Sequence, residues 1–377
     1  MSRKMLSFAS RFIFTLSCLS LSAAPSEARE GRGQAQSLET AARDLSLLSQ
    51  YVMSLKQPNG EERDRVVRAL KSLKAAAHPI DGSMRTRALD PLLAQIDLEP
   101  RVRWSQIEAI YVHGNYAHAR YLTRHTVQAC VACHGGSYET TALGMPFPKP
   151  SPVLSDSERA DYLAMFRRSK EAILAYEEML SQTSLRQTKP ELWESALAHL
   201  LAMTIRVRND AHITLELISR LSELGSYPPA QKEMLLAWRQ SAKQWTREAR
   251  KKTISTEQAT IKIQELLIQA DRSARASRTH GMVDYLRVLN LVDAVAKNPD
   301  RSHKKTMAFR IGGETAEKIH DSFYWIYPEV YFEACIRSLP NSTESSKCWQ
   351  RFEDFRRRER FTLWDREMAA VLKEMAI

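Results

Sequence analysis

The chain has 377 residues, which is enough for two domains with their own hydrophobic cores. Lysine and arginine outnumber aspartate and glutamate, and the formal net charge is +11 at pH 7. A basic surface favours an acidic partner or an anionic lipid surface, although a solvated basic face accounts for the charge equally well. After the N-terminal segment no apolar run reaches the roughly 20 residues of a membrane-spanning helix, which argues against an integral membrane protein.

Residues 1–28 have the pattern of a secretory signal peptide. Three basic residues precede the apolar run FIFTLSCLSLSAA, and the tripeptide SEA at 26–28 has the small residues of a cleavage site. We therefore expect a periplasmic protein that starts near Arg29, with a flexible tail over 29–36. The alternative is an uncleaved N-terminal anchor. Loss of three basic residues and one acidic residue would leave a net charge of +9, and export argues against nucleic acid as a partner.

Residues 37–144 are predicted to form a helical domain. In its first segment, apolar residues recur at the three- and four-residue spacing of one helix face. The predicted helices are Ser37–Lys56, Glu61–His78, Met84–Ile96 and a fourth from the capping box Ser105-x-x-Glu108 to His134. Gly114 is expected to kink the fourth helix.

Residues 145–154 are predicted to be a linker, because prolines at 146, 148, 150 and 152 exclude a helix there. The capping box Ser155-x-x-Glu158 opens a second helical region, 155–377. Glycine is absent from 145–224 and alternating β-branched runs are missing, so the fold class is all-α. Helical patterns are predicted at about 158–182, 190–223, 229–250, 255–277, 280–297, 303–323, 327–338 and 343–358. They suggest stacked α-hairpins similar to tetratricopeptide repeats, with an irregular helical bundle as the alternative.

The stretch QACVACHGG, residues 128–136, places Cys130, Cys133 and His134 within five positions. A structural zinc site usually needs four ligands in two pairs, and no second cysteine pair lies nearby. A thioredoxin-like dithiol follows a strand at the start of a helix, whereas this motif ends a predicted helix. Covalent haem accounts for all three residues, since two thiols add to the vinyl groups and the adjacent histidine reaches the iron. The sequence therefore predicts one haem c, with Cys130 and Cys133 as thioether residues and His134 as proximal ligand.

Four predicted helices with Cys-x-x-Cys-His at the end of the fourth resemble the class II cytochromes c, the cytochrome c′ and c556 family. The closing segment TVQACVACHGGSYE is similar to that family's, with Tyr138 as the aromatic residue after the motif. The resemblance covers residues 37–140. It implies a haem held in a four-helix bundle and a role in electron transfer or gas binding.

The sixth iron ligand is left open between four possibilities. Met145 follows Gly144 and precedes Pro146, as in the ligand loops of class I cytochromes. Met53 lies on the first helix, which supplies the ligand in cytochrome c556; if it is too far along that helix, Leu45 and Leu48 would face the iron and leave it five-coordinate. An open or water-bound site and a histidine are the other two possibilities.

Three histidines precede the motif on the fourth predicted helix. His125 lies nine residues before His134, about 13 Å along a continuous helix, which is too far to bind the opposite face of the same iron. His113 and His118 lie farther away. All three are expected to line the helix surface or to bond the haem propionates.

In the C-terminal region, Cys335 and Cys348 flank the turn LPNST of a predicted helical hairpin. Symmetric positions on antiparallel helices lie at the same level, so we expect a disulfide, which would contribute about 3 kcal/mol in the chain-entropy model. The basic run RRRER, 356–360, is a candidate docking patch or a solvated helix end.

The combined expectation is a periplasmic monohaem cytochrome c that carries electrons and is not itself an enzyme. Its helical C-terminal domain would dock a redox protein, and an acidic one would suit the basic surface. The first alternative is an open-site haem protein that binds or senses NO, CO or peroxide. The second is a helical-repeat scaffold in which the haem is structural.

Overall fold

The computed structural model describes residues 40–53, 58–77, 99–134, 150–152, 154–223, 227–249, 255–298, 302–323, 326–359 and 366–376. Within these ranges the ordered elements are helices and no residue is in a strand, which confirms the predicted all-α class. The predicted signal peptide, the third predicted helix Met84–Ile96, Tyr138 and Met145 lie outside the described residues. The four-helix arrangement of the N-terminal region therefore stays a prediction.

The described N-terminal helices are α1 at 40–53, α2 at Gly60–Ala76, α3 at Pro100–Val112 and α4 at Tyr116–His134. The fourth predicted helix is thus two helices that pack against each other as a hairpin. Gly114 separates them in the left-handed conformation, with φ of 84°. Ser105 does not cap a helix, because its hydroxyl donates to the carbonyl of Arg101, one turn earlier in α3.

Twelve further α-helices follow within the described ranges. They are α5 Asp156–Met165, α6 Ser169–Ser181, α7 Thr183–Thr188, α8 Pro190–Ala202, α9 Ala211–Glu223, α10 Pro229–Glu248, α11 Thr256–Ala274, α12 Met282–Ala296, α13 His303–Ile319, α14 Pro328–Ser338, α15 Thr343–Arg358 and α16 Arg366–Ala376. Most bounds agree with the predicted segments, and the capping box at Ser155 is present. Neighbouring helices pack pairwise along the chain; whether they are repeats stays a prediction.

Two predicted helices are interrupted by residues with positive φ. Arg167, with φ of 57°, divides the segment 158–182 into α5 and α6. Asn209, with φ of 50°, ends a π-helical turn, Met203–Arg208, that continues α8. Asparagine tolerates the left-handed conformation. Asp210 then accepts the backbone N–H groups of His212 and Ile213 and starts α9. The Asn-Asp dipeptide at 209–210 therefore indicates, in the sequence itself, the end of one helix and the start of the next.

The N-terminal and C-terminal helices share one hydrophobic core. Two hydrogen bonds cross between them: Ser46 on α1 to the hydroxyl of Tyr162 on α5, 2.7 Å, and the hydroxyl of Tyr121 on α4 to Glu329 on α14, 3.0 Å. The helix that ends in the Cys-x-x-Cys-His motif is therefore anchored to the C-terminal region. The domain boundary at 145–154 stays a prediction.

The predicted disulfide is present. Cys335 on α14 and Cys348 on α15 are bonded and fully buried. The two helices pack as the predicted hairpin, and Asn341 adopts positive φ in the turn between them. The last hairpin of the core is thus closed covalently.

Helices α13 and α14 approach closely at two adjacent glycines. A Cβ atom on Gly312 would lie 2.7 Å from Cδ1 of Tyr331, and one on Gly313 would lie 2.6 Å from Cδ1 of Phe332. Both rings are buried and belong to α14. The glycines therefore let the two helices meet at a distance that any side chain would increase.

Replacing Gly313 by alanine is expected to destabilise the protein by about 1–2 kcal/mol, because the overpacking cost of about 1–3 kcal/mol exceeds the gain in helix propensity. Urea-induced unfolding followed by circular dichroism measures the change. The matched control is Gly60→Ala at the start of α2, where nothing lies within 4 Å of the new Cβ. We expect that control to be neutral or stabilised by about 0.5 kcal/mol. Equal stabilities for the two variants would contradict the close approach.

Candidate functional site

The Cys-x-x-Cys-His motif occupies the last turns of α4, which runs without interruption from Tyr116 to His134. Cys130 precedes Cys133 by three residues and His134 by four. Positions at this spacing lie on the same side of an α-helix. The helical backbone therefore brings the three predicted haem-binding positions to one side of α4.

Of the three motif residues, Cys130 is described with its side chain, which is partly buried against the core. Cys133 and His134 are described as helical backbone. Earlier residues on the same side of the helix include the small, buried residues Ala119, Thr123 and Thr126 and, nearer the motif, the buried Val127. Both threonine hydroxyls bond carbonyls of the preceding turn. The three motif positions thus follow these residues on one side of α4.

A buried polar cluster lies on the other side of α4, and we call it the α4 cluster. It consists of Tyr121 and His125 of α4 with Tyr327 and Glu329 from the start of α14. The ring of His125 meets the ring of Tyr327 edge to face with centroids 4.8 Å apart. Tyr121 meets the same ring at 5.8 Å and donates its hydroxyl to Glu329. The cluster joins α4 to the C-terminal helices.

Of the two alternatives expected for His125, a place on the helix surface is wrong. Its side chain is 2% exposed, so it does not line the helix surface. Nine residues are two and a half turns, which places His125 half a turn around the helix axis from His134. It therefore faces the C-terminal helices and not the side of the motif. Of the other two histidines, His113 is exposed and His118 is partly exposed.

Burial controls the protonation of the α4 cluster. Burial, helped by the positive charge of Arg103, lowers the pKa of His125 to about 3. Burial also raises the pKa of Tyr121 and of Tyr327 above their ordinary value. The hydroxyl of Tyr327 has no hydrogen-bond partner among the described residues. His125 is therefore neutral at physiological pH, and the contact between α4 and α14 contains no buried imidazolium.

Acid is expected to weaken the fold through His125. The unfolded chain takes up this proton near pH 6.5, whereas the folded chain resists it until about pH 3. The free energy of unfolding should then fall as pH falls, by about 2 kcal/mol between pH 8 and pH 5 from this residue. In a His125→Leu variant the pH dependence measured by urea titration should be smaller by that amount. The variant His212→Leu, at an exposed position, should keep the acid dependence of the wild type; a His125→Leu variant that also keeps it would refute the assignment.

The contacts of α1 place the end of that helix beside the first half of α4. The hydroxyl of Tyr51 donates to the carbonyl of Tyr116 at 3.3 Å, and Arg124 donates to the carbonyl of Val52 at 3.5 Å. His134 lies ten residues beyond Arg124, about 15 Å farther along the helix. Met53 is buried in the core, and these contacts of its neighbours do not bring it to the level of His134.

Leu45 and Leu48, the alternative residues on α1, are also buried. They precede Tyr51 on α1, whose end lies by the start of α4, as expected if the two helices run antiparallel. Met145, the other candidate sixth ligand, lies outside the described residues. The described residues thus do not decide between the candidate sixth ligands.

Of the basic run 356–360, the structure describes 356–359, and two of its arginines pair with acidic side chains. Arg358 and Arg351 both bond the carboxylate of Glu317, at 3.3 and 2.6 Å. Arg357 pairs with Asp354 at 2.5 Å. The guanidinium of Arg356 lies over the ring of Phe352. These contacts favour a paired helix end over a free docking patch.

One buried polar group was missed by the sequence analysis. Asp161, Tyr176 and His199 come from α5, α6 and α8. The hydroxyl of Tyr176 donates to Asp161 at 2.6 Å, and the Nδ1 atom of His199 lies 3.0 Å from the same oxygen. No local pattern connects residues so far apart in the chain. Their mutual bonding fits a structural tie among three helices.

Within the described residues, no cluster of three or more histidine, cysteine, aspartate or glutamate side chains is arranged to hold a metal ion. In the same part of the chain, no helix combines the length and the apolar character needed to cross a membrane. No protein-family model, no curated protein and no solved structure matches this chain.

Proposed function

We propose that this protein is a periplasmic monohaem cytochrome c that carries electrons and docks a partner protein through its C-terminal helices. The observation that carries the proposal is the motif Cys130-x-x-Cys133-His134 on one side of the last turns of α4. The signal-peptide pattern over 1–28 adds support, since covalent haem attachment of this kind takes place outside the cytoplasm. When bound, the haem supplies one-electron Fe(III)/Fe(II) chemistry.

The chemistry of the donor set fits this group. Two thiols separated by two residues can form the two thioether bonds, and the imidazole of the next residue can coordinate iron. Ala119, Thr123 and Thr126, which lie on that side of α4 before the motif, have small side chains. Cys130 and Cys133 would hold the group covalently, and the imidazole of His134 would coordinate its iron.

The remaining chain would hold the haem-bearing helix in place. On one side α4 contacts α1 through Tyr51 and Arg124, and on another the α4 cluster fixes it to α14. A helix held on several sides presents its last turns in a constant position. The helical C-terminal region, with its basic surface, would set the choice of redox partner, with an acidic protein surface as the best complement.

A second candidate function is binding or sensing of a small ligand such as NO, CO or peroxide at an open iron site. The observation in its favour is the placement of α1, whose end at Met53 lies by the first half of α4. Leucines on α1 do not ligate iron, so an iron without a ligand from Met145 would have an open position. The scaffold interpretation has no separate observation in its favour.

Absorption spectra of the full-length protein, produced with a c-type maturation system, test the proposal. For an electron carrier we expect a low-spin spectrum of the reduced protein that carbon monoxide does not change. A reduced spectrum that shifts with carbon monoxide would replace the carrier by the ligand-binding function. A protein without haem absorption would overturn both proposed functions.

A further inference from the structure

An open groove of about 560 Å³ lies between α10, α11 and α12 and the end of the π-helical turn after α8. None of its lining residues belongs to α4 or to the proposed haem site. Asn209, Trp245, Gln258, Ile261 and Leu291 are among its lining residues. Concave sites with apolar walls and a few directed polar groups are the usual form of binding sites.

One wall of the groove is aliphatic. Ile261 on α11 is 54% exposed, so a ligand could still cover a large part of its side chain. Leu291 and Ala294 on α12 face the same space. Covering Ile261 would remove apolar area from water at about 25 cal/mol per Å². This wall suits an aliphatic side chain of a ligand.

The charged residues of the groove neutralise one another. Glu248 lies 2.9 Å from the ammonium of Lys262 and 2.6 Å from the guanidinium of Arg287. Lys262 also pairs with Glu265 at 3.3 Å. Burial raises the pKa of Glu248, but the hydrogen bonds and charges of Lys262 and Arg287 outweigh it and leave the pKa below its usual value. Two acidic and two basic side chains in mutual contact favour an uncharged ligand over a phosphate or a carboxylate.

Three hydrogen-bond donors of the groove have no acceptor among the described residues: the indole N–H of Trp245, the amide nitrogen of Gln258 and that of Asn209. Gln258 uses its amide oxygen to accept from the backbone of Ser255. Asn209 accepts from Asn290 at 3.0 Å, which fixes its amide group. The guanidinium of Arg287 lies over the indole of Trp245. The donors are thus held in position, and carbonyl oxygens of a ligand would be suitable acceptors for them.

From this combination we infer that the groove binds an extended, uncharged peptide segment of a partner protein, with one aliphatic side chain against Ile261 and main-chain carbonyl oxygens on the donors of Trp245, Gln258 and Asn209. Backbone carbonyls supply acceptors without charge, and an extended backbone leaves them unpaired. The inference names the kind of segment that the C-terminal helices recognise. It does not require a haem, so its failure and the failure of the proposed function are separable.

Selection from a phage-displayed library of random linear peptides against the full-length protein tests the inference. We expect enriched peptides to contain an aliphatic residue. The affinity of a synthesised peptide, measured by fluorescence anisotropy, should fall by about tenfold or more for Ile261→Asp, and should fall for Gln258→Ala as well. The matched control is Leu174→Asp on α6, because Leu174 is 64% exposed and does not line the groove; it should bind as the wild type does.

Three results would overturn the inference. The first is a selection that enriches no peptide. The second is a peptide whose affinity is the same for Ile261→Asp and Leu174→Asp. The third is binding of neutral oligosaccharides from a parallel array, lost in Ile261→Asp, without any peptide binding. Both substitutions are at exposed positions, and circular dichroism melting curves confirm that the variants are folded.

Discussion

Replacement of Cys130 and Cys133 together by alanine is expected to leave the protein without covalently bound haem. The two thioether bonds need the two thiols, and no other described cysteine pair has the spacing or the adjacent histidine. After production with c-type maturation, a denaturing gel stained for haem peroxidase activity should be negative for the double variant and positive for the wild type. Each single variant should keep haem through one thioether and show a shifted absorption band.

The matched control is the pair Cys335→Ala and Cys348→Ala. These residues form the buried disulfide between α14 and α15, so their removal takes away two cysteines without touching the motif. The control should lose stability, about 3 kcal/mol in the chain-entropy model, and keep its haem stain. A Cys130→Ala/Cys133→Ala protein that still carries haem after denaturation would contradict the assignment of the motif.

Replacement of Phe332 by alanine is expected to cost about 3–5 kcal/mol of stability, the largest loss we expect for a single core residue. Phe332 is fully buried on α14 and packs over Gly313 of α13. The glycine has no side chain that could move into the space, so the cavity would persist. Because α14 also carries Glu329, which bonds Tyr121 of α4, the loss should reach the helix that bears the motif.

Urea-induced unfolding, followed at the helical circular dichroism band, measures the effect of Phe332→Ala. Leu174→Ala is the matched control, since it truncates an aliphatic side chain that is mostly in water; its change should stay within about 0.5 kcal/mol. A loss below 1 kcal/mol for Phe332→Ala would mean that the contact of α13 with α14 does not govern the stability of the core.

Most helices of the described chain could be predicted because their signals are local. The apolar spacing within each helix, the capping box at Ser155 and the symmetric cysteines around LPNST depend on residues close together in sequence. The errors were local as well. Gly114 was taken as a kink inside one helix, but its left-handed backbone turns the chain back on itself. The break at Arg167 could not be predicted, because arginine at positive φ is uncommon.

The candidate site likewise has local features, which could be predicted from the sequence, and long-range contacts, which could not. The motif and its spacing are read from five consecutive residues, which the structure places in the last turns of α4. The burial of His125 could not be predicted, because it depends on contact with Tyr327, which is distant in sequence. The same holds for Tyr121, which bonds Glu329 at a separation of 208 residues. The groove lined by Trp245 and Ile261 likewise exists only once helices distant in sequence are packed. Long-range packing leaves no periodic pattern in a single sequence.

The mass of the denatured full-length protein tests the central claim most directly. After production with a c-type maturation system, the protein is separated from non-covalent haem under denaturing conditions and its intact mass is measured. The account predicts the polypeptide plus one haem, with the added mass located on the peptide that contains Cys130 and Cys133. A polypeptide of unmodified mass, from cells in which a known cytochrome c is matured in parallel, would contradict it.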